Sequence, residues 1–243
     1  MAVDFDKYKV DGAIHWAQTN RMGLKYNAPL VSRYSSVLKR VPLDARIVLD
    51  IGCGDGYLSC QMARRLPRAH IIGIDADSVG IEFARQKALE NGLANVRFMV
   101  SKSDTLPFAP NYFDVTLMTD VIEHLPRPGD LLAEIVRVLK PGGVAIITTP
   151  NRQDASKWDE RHDREYTGPE LNSELAAYFL SVQIFGTWPM KAVIAWKAKG
   201  FGRIYLDLAA RLGFNHFEAE TPNPTSDYGQ LTAVCGDGIV ALS

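Results

Sequence analysis

The chain has 243 residues, of which 47% are hydrophobic, and a formal net charge of -1. This length and apolar content suit one α/β domain with additions and a substantial core. Because the net charge is near zero and blocks of like charge are absent, no nucleic acid is expected as a partner. The 3 cysteines lack C-x-x-C spacing, which indicates a reduced chain without a structural zinc site. The charged first residues and the lack of a membrane-length apolar run favour a cytoplasmic protein.

Short β-branched runs alternate with amphipathic helical patterns along most of the chain. This alternation is typical of βαβ units and predicts an α/β fold with a mainly parallel sheet. The predicted strands, in chain order, are 46–51, 70–74, 95–100, 112–118 and 144–149. Helices fill the gaps, and the helix marked by Leu131, Ile135 and Leu139 should end at Pro141–Gly143.

The most informative segment is Val48–Gly56, where an apolar run, a carboxylate and a G-x-G-x-G turn follow one another. Gly52, Gly54 and Gly56 let the backbone leave a strand sharply and approach a ligand without a Cβ in the way. Asp50 places negative charge beside that ligand, which repels a pyrophosphate and attracts the cation of a methionine-derived cofactor. The third glycine also follows the second more closely than in the dinucleotide fingerprint. The segment therefore favours S-adenosylmethionine over NAD.

Four further segments follow this loop in the order found in class I S-adenosylmethionine-dependent methyltransferases. They are the acidic strand end Gly73–Asp75, the pair Ser103–Asp104, the block Asp120–Leu125 and the stretch Leu139–Gly143. Over about residues 46–151 the chain thus resembles the small-molecule group of that family, which includes the ubiquinone-biosynthesis type (methyltransferase type 11). The resemblance implies a Rossmann-like, mainly parallel seven-stranded sheet with helices on both faces. Its two remaining strands, the last antiparallel, would be 181–185 and 230–235.

The resemblance also implies cofactor-binding residues at the carboxyl ends of the strands, where ligands of open α/β sheets bind. The set is Asp50, Gly52, Cys53, Gly54, Asp75, Ala76, Ser103, Asp104, Met118 and Thr119. The Asp75 carboxylate would accept hydrogen bonds from the ribose hydroxyls, and Asp104 one from the adenine amine. The backbone of Met118 and Thr119 would lie near the methionyl group. Plainer alternatives stay open: Asp75 in a solvated turn, Asp104 in a turn before Pro107, and Met118 in the core.

The methyl group of this cofactor is already activated by positive sulfur, so the protein mainly positions the acceptor and excludes water. If the acceptor is a hydroxyl, His124 is the titratable side chain best placed to remove its proton. Tyr166 is the second catalytic candidate, because its H-x-R-E-Y segment resembles an acceptor-side loop of small-molecule methyltransferases. Alternatively, His124 caps its loop or touches the cofactor, and Tyr166 is a packing residue. No metal is expected, since the acidic residues nearby lack tight ligand spacing.

Two segments lie outside the repeating pattern. Residues 1–44 should form an N-terminal helical cover over the cofactor, and residues 186–215 a helical insertion before the last strand, broken at Gly200–Gly202. With a core at 45–151 and an acceptor-side half at 152–243, the chain is interpreted as a single methyltransferase domain. Aromatic and basic residues interleave in the insertion and leave two alternatives open. It is a helix lying at a membrane surface, or a solvated helix pair with a buried aromatic face.

These observations predict S-adenosylmethionine-dependent transfer of a methyl group to a small-molecule acceptor, most readily to an oxygen and less readily to a nitrogen. Two alternatives stay open. One is a lipid or quinone acceptor at a membrane surface, and the other is a cofactor-binding regulatory protein without turnover. The intact set of Gly52, Gly54 and Asp75 predicts cofactor binding under each of them.

Overall fold

The computed structural model describes residues 7–101, 105–152, 159–198 and 200–238. Over these ranges the strands are β1 (Ile47–Ile51), β2 (His70–Asp75), β3 (Val96–Val100), β4 (Phe113–Thr119), β5 (Leu139–Pro150), β6 (Phe179–Pro189), β7 (Thr221–Pro222) and β8 (Tyr228–Gly238). They form one sheet in the order β3-β2-β1-β4-β5-β8-β6-β7.

The first five strands run parallel, and β8 runs antiparallel to both of its neighbours, β5 and β6. This confirms the predicted mainly parallel sheet with an antiparallel last strand. The two-residue β7 is an eighth strand beyond the seven that the resemblance implies. The bounds of β1 to β4 lie within about one residue of the predicted ones, since parallel strands covered on both faces read as continuous apolar runs.

Strand β5 begins at Leu139, earlier than the predicted start at 144. Leu139 pairs with Phe113, and the register then shifts before the regular ladder resumes at Val144. Gly142, at φ 74°, turns the chain inside this irregular stretch, a conformation that glycine adopts without steric cost. The preceding helix therefore ends at Val138, because strand pairing rather than helical periodicity decides the conformation of the next residue.

Helices connect the strands. They are α1 (Lys7–Asp11), α2 (Ile14–Thr19), α3 (Ala28–Leu38), α4 (Tyr57–Arg65), α5 (Ser78–Glu90), α6 (Pro128–Val138), α7 (Gly168–Ala176), α8 (Met190–Lys197) and α9 (Phe201–Arg211), with 3-10 turns at Ile122–His124 and His216–Glu218. The Asp77 side chain caps α5 by accepting from the amides of Val79 and Gly80 at 2.8 and 3.3 Å. Helix α7 begins with a capping box formed by Thr167 and Glu170.

The hydrophobic core lies on both faces of the sheet because successive residues of a strand point to opposite sides. On one face Val48 belongs to a cluster with Leu58 of α4 and Ile81 of α5. On the other face Leu49 belongs to a cluster with Leu131 of α6. The predicted helices on both faces are confirmed, and the carboxyl edge of the parallel strands is left to loops.

The helical insertion starts later than predicted. Strand β6 extends to Pro189 because Gly186 and Thr187 pair with β8, so the first insertion helix begins at Met190. Helices α8 and α9 are the two predicted helices, separated near Gly200. A third core cluster joins them to the N-terminal segment, and its members are Tyr26, Ala28, Val193, Leu206, Ala210 and Phe217. Among the described helices, none is long and apolar enough to cross a membrane.

Candidate active site

Strand β1 leads into the glycine loop, Gly52–Gly56, at the carboxyl edge of the sheet. Its three glycines have φ values of 72°, 54° and 73°, a region that L side chains rarely adopt. A Cβ on Gly52 would lie 2.3 Å from a methyl carbon of Val121, and one on Gly54 would lie 2.0 Å from the Tyr8 hydroxyl oxygen. Backbone conformation and the close approach of neighbouring segments therefore both require glycine here.

Asp75 ends β2 beside the glycine loop. One oxygen of its carboxylate accepts from the Gly54 amide at 2.8 Å, and the other accepts from the Asp77 amide at 2.8 Å. Ala76, the next residue, is exposed. The Asp75 carboxylate is thus fixed at the edge where ligands of such sheets bind.

The N-terminal helices lie against the glycine loop. His15 donates its backbone amide to one carboxylate oxygen of Asp55 at 2.8 Å and its ring Nδ1 to the other at 2.9 Å, since an ionised carboxylate only accepts. The Trp16 indole N–H donates to the Asp55 carbonyl at 3.0 Å. Asp55 is fully buried, so these bonds fasten α2 to the loop. The Tyr8 ring of α1 packs beside Gly54, and burial raises the pKa of its hydroxyl.

Asp120, directly after β4, joins side chains from β5, β8 and α3. Its carboxylate accepts from Thr148 Oγ1 and Gln230 Nε2, both at 2.7 Å, and forms an ion pair with Arg33 of α3. The backbone of Asp120 is left-handed, with φ 51°. Such conformations are uncommon outside glycine and concentrate at functional sites. Asp120 therefore ties the end of β4 to the last strand and to the N-terminal helices.

A second polar cluster occupies the 3-10 turn after β4. Glu123 is buried and accepts from Thr149 Oγ1 at 3.0 Å, and burial raises its pKa to about 7. The rings of His124 and His162 meet edge to face with their centres 4.9 Å apart. His162 Nδ1 lies 2.5 Å from Glu165 Oε1. Burial lowers the pKa of His124, so its ring is neutral and able to take a proton at neutral pH.

The ligand atoms of Glu123, His124 and His162 all lie within 4.8 Å of one another. We call these three residues the Glu–His–His cluster. One carboxylate and two imidazoles suit zinc and other divalent transition metals, and a carboxylate such as Glu165 orients a ligating histidine. The sequence-based expectation of no metal considered only the acidic residues and stays a prediction; this cluster is a different set, because the fold brings His162 to Glu123 and His124 from a separate loop.

A cavity of about 270 Å³ lies between the N-terminal helices and the insertion. Its lining residues are His15, Gln18, Asn27, Pro29, Leu30, Arg33, Trp188, Val193, Trp196, Lys197 and Phe217. Arg33 connects the cavity to Asp120, and His15 connects it to the glycine loop through Asp55. The cavity therefore adjoins both the loop and the end of β4.

Residues 43–187 match a family model described as a methyltransferase domain. The chain belongs to the class I S-adenosylmethionine-dependent methyltransferases. This methyltransferase is 35% identical to the ubiquinone biosynthesis O-methyltransferase of Hahella chejuensis over 124 residues, 51% of each chain. It therefore spans about half the length of the curated relatives it matches.

Two solved structures share the fold of the methyltransferase over nearly its whole length. The [4+2]-cyclase SpnF has a TM-score of 0.68 at 20% identity and is covered to 96%, with 98% of this chain aligned. Phosphoethanolamine N-methyltransferase 2 of Haemonchus contortus has a TM-score of 0.69 at 19% identity, with 96% of this chain and 58% of that chain aligned. At such identities the likeness shows the fold alone, so the reaction must be argued from the site.

Two of the predicted cofactor residues, Asp50 and Cys53, have buried side chains. The Asp50 carboxylate is 1% exposed and accepts from Ser59 Oγ of α4 at 2.5 Å, and burial raises its pKa to about 7. It faces α4 beneath the loop, which does not support a charge placed beside the ligand. The Cys53 thiol packs against Gly73 of β2, so only the backbone of this residue belongs to the loop.

The remaining predicted cofactor residues are placed as follows. Met118 belongs to a core cluster, so the plain core alternative holds for its side chain. The Thr119 hydroxyl is buried without a hydrogen-bond partner in the part of the chain that the structure describes. Ser103 and Asp104 lie outside the described residues. Of the predicted set, Gly52, Gly54 and Asp75 are the residues that lie together at the carboxyl edge of the sheet.

Of the two catalytic candidates, only His124 lies in a polar cluster. Tyr166 is fully buried in the core, and burial raises its pKa to about 12, which favours the packing alternative. Sequence reasoning missed Arg33, for which its being the only charged residue of α3 was the available signal. It also missed Gln230, which gave no signal because its partner Asp120 is distant in the chain.

Proposed function

We propose that this methyltransferase transfers the methyl group of S-adenosylmethionine to an oxygen atom of a small-molecule acceptor. The observation that carries the proposal is the Glu–His–His cluster directly after β4, on the same sheet edge as the glycine loop. A hydroxyl must lose its proton when it is methylated, and this cluster offers groups that can take one. Its curated relatives are O-methyltransferases by name, which supports the same choice of acceptor atom.

The glycine loop and Asp75 fit this cofactor. Side chains at Gly52 and Gly54 would collide with Val121 and Tyr8, so glycine is required where other segments approach the backbone of the loop closely. The Asp75 carboxylate accepts hydrogen bonds from the ribose hydroxyls in this proposal. The further contacts come from Ala76, Ser103, Asp104 and the backbone of Met118 and Thr119. When bound, the cofactor supplies a methyl group on positively charged sulfur.

His124 acts as the general base in the proposed reaction. Its Nδ1 donates to the Arg161 carbonyl at 3.2 Å, which makes Nε2 the basic nitrogen of the neutral ring. The acceptor oxygen bonds to the methyl carbon while the carbon–sulfur bond breaks with both electrons on sulfur, and the hydroxyl proton passes to Nε2. The neighbouring Glu123 stabilises the positive imidazolium that results.

The same cluster supports a second form of the reaction, in which it holds a divalent cation. A cation there would lower the pKa of an acceptor hydroxyl bound to it, so that no side chain needs to act as a strong base. The two forms share the acceptor atom and the cofactor, and they differ in their response to chelation.

The proposal is tested by transfer of labelled methyl from S-adenosylmethionine into a host cell extract that is then separated into polar, lipid, protein and nucleic-acid fractions. We expect label in the polar fraction, stable to the acid and base treatments that aryl or alkyl methyl ethers survive. Label confined to the protein or nucleic-acid fraction, or a polar product identified as an N-methyl compound, would overturn the proposal.

A second candidate function, methylation of a lipid or quinone at a membrane surface, is favoured by one observation on α9. Its outward face carries an apolar stripe of strongly exposed side chains, which are Phe201, Ile204, Tyr205, Leu208 and Leu212. The predicted buried aromatic face holds for Trp196, which packs against the third core cluster, but not for this stripe. Contiguous exposed apolar residues mark interaction surfaces, so this stripe suits contact with a lipid surface.

Flotation with anionic liposomes tests this second candidate. The double substitution Phe201→Ser and Leu208→Ser removes the centre of the stripe without touching the core, because both side chains are exposed (92% and 56%). If the stripe binds lipid, the native chain floats and the variant stays at the bottom of the gradient. Leu89→Ser on α5 is the matched control, since Leu89 is 83% exposed and lies on a different helix. Equal behaviour of all three proteins would exclude the membrane role.

A further inference from the structure

The cavity between the N-terminal helices and the insertion indicates the chemical class of the acceptor, an inference that rests on the proposed function. We propose that this cavity binds a small aromatic acid, a single ring that carries both the hydroxyl to be methylated and a carboxylate. Size, wall chemistry and unpaired donors each contribute to this assignment.

The volume of the cavity, about 270 Å³, is just below the roughly 300–1,000 Å³ range of pockets for drug-sized ligands. A compound with one ring fits within such a space, whereas a long isoprenoid chain would have to extend out of it. The rings of Trp188, Trp196 and Phe217 and the aliphatic side chains of Leu30 and Val193 supply the apolar walls. Flat aromatic walls favour a flat aromatic ligand.

The charged side chains that line the cavity have one sign. They are Arg33 and Lys197, and the described lining residues include no Asp or Glu. The rest of the polar wall consists of His15, Gln18 and Asn27. This composition disfavours an amine acceptor, which would be cationic at neutral pH, and favours an anion.

Two buried donors of the wall have no acceptor among the described residues, Arg33 Nε and Trp188 Nε1. Buried donors are nearly always satisfied, so an unpaired pair at one cavity points to oxygens supplied by a ligand. The guanidinium carbon of Arg33 lies 6.0 Å from the centre of the Trp188 ring, so the two unpaired donors belong to one part of the wall and suit one anionic group. Asp120 holds the terminal nitrogen of the same guanidinium and so fixes its direction.

The backbone of Trp188 supports this assignment. Its φ is 63°, in the left-handed region that non-glycine residues rarely adopt. Strained backbone conformations persist where the surrounding structure fixes them, and they concentrate at functional sites. Here the strained residue carries an indole that lines the cavity. Arg33 also acts electrostatically on Glu123, which links this acid-binding end to the Glu–His–His cluster.

Calorimetric titration of the native chain tests the inference. The chain is first titrated with S-adenosylhomocysteine, and failure at this step would count against the proposed function rather than against the acceptor class. The saturated complex is then titrated with 4-hydroxybenzoate, its uncharged analogue 4-hydroxybenzamide, phenyl phosphate, tyramine and a prenylated phenol. We expect the carboxylate to bind at least about tenfold more tightly than the amide, the phosphate and the amine.

Two variants sharpen this test. Trp188→Phe keeps an aromatic ring and removes the indole N–H together with part of the ring area, a loss of area that Trp196→Phe shares, so it should reduce the preference for acid over amide about tenfold. Trp196→Phe is the matched comparison, because its N–H already donates to Asp207 at 3.0 Å, and it should leave that preference unchanged. The inference is overturned if the native chain does not prefer the acid, if the amine, phosphate or prenylated phenol binds most tightly, or if both variants alter the preference equally.

Discussion

The cofactor end and the acceptor end of this methyltransferase are assembled in different ways. At the cofactor end, the glycine loop and Asp75 come from two neighbouring βα units, and their contacts are mostly hydrogen bonds to backbone amides. At the acceptor end, Arg33, Asp120 and Gln230 come from the N-terminal helices, the middle of the sheet and the last strand. In the proposed function, cofactor binding is therefore encoded locally, whereas acceptor recognition depends on how distant segments pack.

The largest effect on cofactor affinity is expected at the glycine loop, from Gly52→Ala. The new Cβ would meet the Val121 side chain at 2.3 Å in a left-handed conformation. The loop must shift to relieve strain of about 1–2 kcal/mol and overpacking of about 1–3 kcal/mol, so the affinity for S-adenosylhomocysteine in calorimetric titration should fall at least about 30-fold. Gly142→Ala is the control, because its φ is similar, at +74°, but no atom lies within 4 Å of its Cβ position. Equal losses in both variants would show that the loop has no special role.

At the acceptor end, His124→Ala should lower turnover about 100-fold and leave the affinity for S-adenosylhomocysteine unchanged, because the side chain serves proton transfer. His70→Ala, at an exposed position on β2, is the control. Parallel assays with a chelator distinguish the two proposed forms. A base needs no cation, whereas a bound cation predicts loss of activity on chelation and recovery with zinc or manganese. Loss of cofactor affinity in the His124 variant would instead place this residue at the cofactor end.

A smaller effect, about tenfold on affinity for S-adenosylhomocysteine, is expected from Asp75→Ala, which removes hydrogen bonds from the ribose hydroxyls to a charged acceptor. Asp77→Ala is the comparison, because Asp77 caps α5 and its loss should lower stability by about 1 kcal/mol without removing a ribose contact. Titration and thermal unfolding of both variants separate binding from stability. If Asp77→Ala weakens binding as much as Asp75→Ala, the ribose assignment is wrong.

The smallest effect concerns stability against pH. Burial raises the pKa of Glu123 to about 7, above its ordinary value of 4.5, so the folded state holds this proton more tightly than the unfolded state. The protonated Glu123 therefore adds on the order of 3 kcal/mol to the free energy of unfolding below about pH 4.5, and this contribution is lost as the pH rises to 7. Glu123→Gln should therefore flatten the fall in Tm between pH 5 and 8, and the exposed Glu82→Gln should not. Identical slopes would mean that Glu123 does not titrate in this range.

The cofactor half could be predicted from sequence because its determinants are local. Strands β1 to β4 have continuous apolar runs, and the glycine loop requires only the conformations of its own residues. The start of β5 could not be predicted, since Leu139 also continues the helical spacing of α6. Its pairing with Phe113 is what places Leu139 in the strand. The burial of Asp50 against Ser59 likewise depends on how α4 packs on β1.

The acceptor half could be predicted only in outline. The role predicted for the H-x-R-E-Y segment stays a prediction: the fold buries Tyr166 and instead brings His162, with Glu165 beside it, to the Glu–His–His cluster. In α9 both faces carry apolar residues, and periodicity does not tell which face packs. The structure turns Leu206 inward and leaves Phe201 exposed. Tertiary contacts, rather than local pattern, decide both cases.

The most direct test of the account is a crystal structure of the chain with S-adenosylhomocysteine. We predict that the ribose hydroxyls donate to the Asp75 carboxylate and that the homocysteine moiety lies on the glycine loop. Its sulfur should face the end of β4, between the Glu–His–His cluster and the cavity lined by Arg33. A ligand bound away from Asp75, or a sulfur that faces neither the cluster nor the cavity, would contradict the division into a cofactor end and an acceptor end.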